Sequence, residues 1–249
     1  QRFRYVYDAY LRNSGTKTYL SVIPDKNTFI ASQNGYPDKD YKALAERLIN
    51  GFPGAKYIDI SGLLSADDFY YTDSHWRQER ILKVADEIAD KMGAERIGKC
   101  EKHDAGVSFY GVYYGQAALP HAPESLFYLD NAVIRGLKVY NVETSSDIPV
   151  YDLGAAAGRD PYEMFIGGAR SIIRITNPNA AKERRLIVFR DSFGSSIAPL
   201  LAAGYSEITL VDIRYIAPSA LGRLIDFTKA DDALFLYSAS VINNSETIK

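Results

Sequence analysis

A single cysteine rules out any internal disulfide in this 249-residue sequence, and three histidines do not make a Cys/His set with zinc spacing. No apolar run approaches the length of a membrane span. An excess of one charge is missing too. The 29 Lys and Arg against 31 Asp and Glu leave a formal net charge of -2, with no clustered basic stretch to neutralise phosphates, which argues against nucleic acid as a partner. What remains is an ordinary globular composition, 47% hydrophobic and 24% charged, at a length that buries a sizeable core. The sequence begins at Gln1, with neither Met nor a signal-like stretch. The expectation is an extracytoplasmic protein, secreted or anchored through a segment outside this chain.

The periodicity predicts strands alternating with helices. Thr18–Pro24 (TYLSVIP) is a β-rich run stopped by proline, Tyr41–Asn50 has helical spacing with Leu44, Leu48 and Ile49 on one face, and Lys56–Ile60 alternates as a short strand. Trp76–Met92 reads as the clearest helix, with Gly93 as its stop. From about 98 to 168 the chain is rich in Tyr, Gly and Pro, with β-like pieces at Val107–Tyr114 and Val133–Val142; we read it as a β-containing insertion within a single domain spanning 1–249. The last third predicts strands at Arg185–Arg190, Glu207–Tyr215 and Ala233–Val241, with helices at Ser195–Ala203 and Ser219–Lys229. Such alternation implies right-handed crossovers and a mostly parallel sheet covered on both faces.

An apolar strand running through Arg190-Asp191-Ser192-Phe193-Gly194 into a helix puts Ser192 at the carboxyl edge of the sheet, where open α/β folds bind ligands. There the hydroxyl is either a helix N-cap or a nucleophile beside free helix N–H groups. A nucleophile needs a base, and the candidates are His75, His103 and His121. His103 lies in a charged run and His121 between prolines, whereas His75 has Asp73 two residues before it, a carboxylate able to fix the imidazole tautomer. The plainer reading of Asp73 and His75 is helix capping and a satisfied surface histidine. Asp-x-His also suits two metal ligands, but no second cluster supplies the rest.

Val22–Asn27 (VIPDKN), Tyr70–Trp76 (YYTDSHW), Pro161–Ala169 (PYEMFIGGA), Val188–Ser192 (VFRDS) and Val211–Tyr215 (VDIRY) together resemble the DHHW family of bacterial proteins. More distantly, they resemble the alginate O-acetylation proteins of the SGNH-hydrolase superfamily. Ser74 replaces the first histidine of Asp-His-His-Trp, but Asp73 and His75 keep the Asp-x-His pattern. The resemblance implies an SGNH-like three-layer α/β/α sandwich with Ser192, His75 and Asp73 as a triad and no cofactor. It further implies oxyanion donors from the Ser192 N–H, a Gly167 or Gly168 N–H and the Arg214 charge, Arg214 being equally readable as an ion-pair partner of Asp191. Asp191 is expected to cap or order the corner. Arg190 stands where SGNH enzymes often have Gly, and Ala169 near a frequent Asn of the family.

The implied function is an extracytoplasmic serine esterase or O-acyltransferase acting on acetylated polysaccharide or cell-wall glycan. Its partners would be a glycan or acyl ester and a membrane acyl-donor protein. Tyr70, Tyr71 and Trp76 are candidates for stacking on sugar rings, the plainer reading of each being core and sheet packing. The departures at Arg190 and Ala169 motivate the alternative, a non-catalytic glycan-binding or scaffold protein with a degenerate site.

Overall fold

A computed structural model describes residues 2–117 and 120–244. Ten strands form: β1 (Lys17–Ile23), β2 (Lys56–Tyr57), β3 (Glu101–Phe109), β4 (Glu124–Asp130), β5 (Lys138–Asn141), β6 (Ser146–Ile148), β7 (Ile172–Thr176), β8 (Arg185–Arg190), β9 (Glu207–Val211) and β10 (Asp232–Ser238). Eight of them make one sheet in the order β2-β1-β10-β8-β9-β7-β5-β6. Pairing is parallel from β2 through β9 and antiparallel from β9 to β6. The fold is the SGNH-like α/β/α sandwich with a mostly parallel sheet.

Alternation along the central strands creates the two covered faces. Leu186 and Val188 of β8, with Leu234 and Leu236 of β10, point into a core closed by the Leu82–Met92 helix and the Phe193–Gly204 segment. Ile187 and Phe189, with Phe235 and Tyr237, point into a second core closed by Val6, Leu11, Phe52, Leu221 and Phe227. Burial on both sides is why RLIVFR reads as an unbroken apolar run rather than an alternating one.

Several boundaries differ from the periodicity. The helix predicted from Trp76 begins at Leu82, because Trp76 bridges Phe69 and the buried Gln78 amide is committed to the Ser196 carbonyl and the Leu129 N–H. Gly93, at φ 65°, ends it as expected. On Tyr41–Gly51 the buried residue is Ala45, and Ile49 is exposed. Only Lys56–Tyr57 of KYIDI joins the sheet. Ser219–Lys229 is two 3₁₀ turns, Pro218–Arg223 and Phe227–Lys229, the second capped by the Asp226 side chain. β9 stops at Val211, where Asp212 folds the chain back by accepting the Arg214 N–H. β10 stops at Ser238, whose side chain caps the Ala239–Asn243 helix.

The Tyr-rich stretch divides. β3 and β4 form a separate antiparallel hairpin, while β5 and β6 extend the main sheet. Val107–Tyr114 leaves the strand after Phe109 and enters a Val112–Ala117 helix, and Val133–Val142 is mostly the Ala132–Gly136 helix followed by β5. β7, an edgeward IIRIT strand, was not signalled by the pattern.

Candidate active site at the carboxyl edge of the sheet

The carboxyl ends of neighbouring strands converge on one edge: Lys26 follows β1, Asp191 and Ser192 follow β8, Asp212 follows β9, and Ser238 ends β10. Asp191 builds the corner after β8. One carboxylate oxygen accepts the Phe193 N–H at 3.1 Å; the other accepts the Ser238 N–H at 2.8 Å and hydroxyl at 2.7 Å. Burial pushes this carboxyl up while the Ser238 hydrogen bonds oppose the shift. With Asp191 holding the helix N-terminus, the Ser192 hydroxyl makes no capping bond.

That hydroxyl instead lies 2.7 Å from His75 Nε2. On the other side of the ring, His75 Nδ1 donates to Asp73 Oδ1 at 2.6 Å, and the His75 backbone N–H donates to the same oxygen at 2.9 Å. The second Asp73 oxygen accepts the Val112 N–H at 2.9 Å. Burial alone would raise the Asp73 carboxyl, but these donors and the imidazole hold it below the ordinary carboxylate value. The ring plane is fixed by stacking: Tyr162 lies 3.9 Å from it at 13°, and Phe193 flanks it at 4.8 Å. Ser192, 117 positions from His75, therefore joins His75 and Asp73 in one continuous hydrogen-bonded chain.

The loop 70–77 carrying Asp73 and His75 is clamped from two sides. Glu124 of β4 accepts the Tyr71 N–H at 2.8 Å, and from Thr72 both the N–H and the hydroxyl at 2.7 Å; it also pairs with Arg77 at 2.6 Å. Burial would raise Glu124, yet those donors keep it below its ordinary value. Opposite, the Lys26 ammonium donates to the carbonyls of Tyr70, Tyr71 and Asp73 at 2.5, 3.1 and 2.9 Å. Burial lowers Lys26 to about 8, against the pull of Glu124 and Asp73. Gly111 packs directly on Asp73: an added Cβ would overlap both the Asp73 side chain and the Thr72 carbonyl. Lys26, Glu124, Gly111 and Tyr162 were not singled out from the sequence, although Lys26 and Tyr162 lie inside stretches that carry the family resemblance.

The remaining candidates fall as follows. Gly167 and Gly168 both have positive φ, 66° and 68°. The Gly168 N–H is committed to the Phe165 carbonyl at 3.1 Å, whereas the Ser192 and Gly167 N–H groups have no partner among the described residues. Arg214 pairs bidentately with Asp212, not with Asp191; burial would lower it, but that carboxylate holds the guanidinium protonated. Arg190 is fully buried, lays its stem against Gly194, and donates to the Gly168 carbonyl at 3.2 Å. This departure from Gly thus ties the strand β8 corner to the glycine loop. Trp76 cannot meet a sugar: it is 0% exposed, with its indole N–H on Ser196 Oγ at 2.8 Å. Tyr70 is equally buried, while Tyr71 is 70% exposed. His121 lies in a loop and stacks on Tyr71; His103 sits on β3. Among the described residues no three or more His, Cys, Asp and Glu side chains gather as metal ligands, and no helix is long and apolar enough to cross a membrane.

The family pattern described as DHHW protein matches residues 63–211, more than half of the chain and the whole span from this loop to β9. The chain belongs to the DHHW family. Solved structures with the same fold include a DHHW family protein from Eubacterium siraeum, 18% identical over 99% of this chain and 86% of that one, with a TM-score of 0.70. Bacillus cereus PatB1 carrying a sulfonyl adduct is 20% identical, with 97% and 88% covered and a TM-score of 0.72. The O-acetyltransferase domain of Pseudomonas putida AlgJ is 12% identical, with 97% and 81% covered and a TM-score of 0.56. No curated protein matches significantly.

Proposed function

We propose that this DHHW protein is an extracytoplasmic serine O-acyltransferase or esterase acting on a glycan. The observation that carries the proposal is the chain Ser192 Oγ–His75 Nε2–His75 Nδ1–Asp73 Oδ1, with separations of 2.7 and 2.6 Å. His75 takes the Ser192 proton as the oxygen attacks an ester carbonyl, and Asp73 stabilises the imidazolium that forms. The Ser192 and Gly167 N–H groups, free of other partners, receive the oxyanion. On collapse the imidazolium returns its proton to the departing alkoxide, leaving an acyl-Ser192. A second hydroxyl, from water or a sugar, is deprotonated by His75 and carries the acyl group away, and the imidazolium returns that proton to the expelled Ser192 oxygen.

Two of the relatives support this reading without establishing it here. One is an O-acetyltransferase domain, and another holds a sulfonyl adduct, the product a sulfonylating reagent leaves on a nucleophile. The Ser192→Ala variant tests it: hydrolysis of an aryl acetate and of acetylated glycan should fall by at least ~10³-fold. Full retained activity would discard the proposal.

A further inference from the structure

Against the loop that carries Asp73 and His75 lies a cleft of about 730 Å³ whose lining includes Lys26, Lys39, Tyr71, Ser74, Tyr113 and His121. Its volume falls in the range of small-ligand sites. Ser74 on its wall immediately precedes His75, and Lys26 binds the Asp73 carbonyl, so the cleft opens onto the loop that holds the dyad. Resting on the acyl-transfer reading above, we infer that this cleft is the acceptor subsite and that it takes an uncharged glycan, discriminating against polyuronates.

The charges decide the ligand class. Two lysines and one aspartate line the cleft, and each is already engaged. Lys39 pairs with Asp25 Oδ2 at 2.6 Å, and Asp25 Oδ1 accepts the Ser240 N–H at 3.1 Å. Lys26 has three N–H donors, and all three are taken by the loop carbonyls. A uronate carboxylate would meet at Lys39 a cation already neutralised by Asp25, and at Lys26 one whose donors are all spent. Reaching Lys39 would bring the anion up against the Asp25 carboxylate, and displacing Lys26 would release the loop carrying Asp73.

An uncharged sugar needs neither. Its apolar face can lie on an aromatic plate while its hydroxyls exchange hydrogen bonds with a polar rim. The plate is present: the Tyr71 ring, 70% exposed, stacks on His121 at 4.5 Å and 18°, so its orientation is fixed before any ligand arrives. The His121 ring is itself held by a 2.6 Å hydrogen bond from Nδ1 to the Ala122 carbonyl. Ser74 and Ser240 supply hydroxyls along the same wall.

The test is a calorimetric titration of the Ser192→Ala chain with three neutral tetrasaccharides (chito-, cello- and xylotetraose) and with tetramannuronate. At least one neutral ligand should bind, and tetramannuronate at least ~10-fold more weakly. Adding Tyr71→Ala or His121→Ala, both at exposed rings whose loss spares the core, should weaken the neutral ligand by ~10-fold. Asp25→Asn, which frees Lys39, should raise tetramannuronate affinity. Equal or tighter binding of tetramannuronate to the parent, no binding by any neutral ligand, or indifference to both ring deletions overturns the inference. Fluorophosphonate labelling of the unaltered chain separates the two readings. Labelling of Ser192 without glycan binding removes only the acceptor site; binding without labelling removes only the acyl-transfer chemistry.

Discussion

The Asp73→Asn substitution probes the dyad most sharply, because both oxygens of that carboxylate are already assigned. Oδ1 accepts the His75 ring and backbone N–H groups, and Oδ2 accepts the Val112 N–H. An asparagine offers one oxygen and one NH₂. If its oxygen stays with His75, the NH₂ opposes the Val112 N–H, donor against donor. If it turns, the NH₂ faces His75 Nδ1, which must then accept, and the proton moves to Nε2, the atom beside Ser192. The first arrangement forfeits a buried hydrogen bond, about 1–3 kcal/mol of stability. The second forfeits the His75 backbone N–H bond instead and presents the wrong tautomer to the serine, and in either case the carboxylate that stabilises imidazolium is gone. We therefore expect kcat/KM on an aryl acetate to fall ~10³–10⁴-fold, or about 4–5.5 kcal/mol of transition-state stabilisation, with a far smaller change in the urea midpoint. Activity within tenfold of the parent at pH 7 would refute the role given to Asp73.

Other consequences follow from the clamp on the same loop. Gly111→Ala should lower both activity and stability, by about 1–3 kcal/mol for the latter, because its methyl group overlaps Asp73; paired rate and urea-melt measurements check this. Glu124→Gln should cost about 2 kcal/mol at pH 7. Since the folded Glu124 carboxyl is depressed, its stabilisation is fully present above the unfolded value of about 4.3 and is lost as pH falls through the folded one. The gap between parent and variant urea midpoints should consequently narrow from pH 7 to pH 3. For Lys26, deprotonation near pH 8 removes one of its three donors from the loop, so the pH–rate profile should decline on that side. Its folded value lies below the unfolded one, so this group makes stability rise between about pH 8 and 10.4 even as activity falls. Lys26→Arg, which stays charged, should shift the alkaline limb upward; an unmoved limb would assign it to another group.

How legible all this was in the sequence depended on whether the determining interactions were local. β8 could be read because its burial on both faces is written as a continuous apolar run, and Gly93 because a left-handed stop has a local residue signature. The start of the following helix could not, since Gln78 is withdrawn from it by partners at Leu129 and Ser196. Likewise, Ser219–Lys229 shows helical spacing, but Pro218, Gly222 and the Asp226 cap break it into short turns. At the site, Asp73, His75 and Ser192 were accessible as residue types that acyl transfer needs. Their supports were not. Glu124 acts on residues 52 and 53 positions away, and Gly111 matters only for the side chain it admits. Trp76 misled for a related reason: a lone Trp beside a candidate histidine suggests a ligand plate, and only packing shows it turned into the core.

The most direct measurement on the central claim is fluorophosphonate labelling of the intact chain followed by peptide mass spectrometry. The hydrogen-bonded chain from Asp73 through His75 to Ser192 predicts one modification, on Ser192, lost in Ser192→Ala and slowed at least ~10²-fold in His75→Ala. A folded protein that takes no label at Ser192, or labels there equally fast without His75, would contradict it.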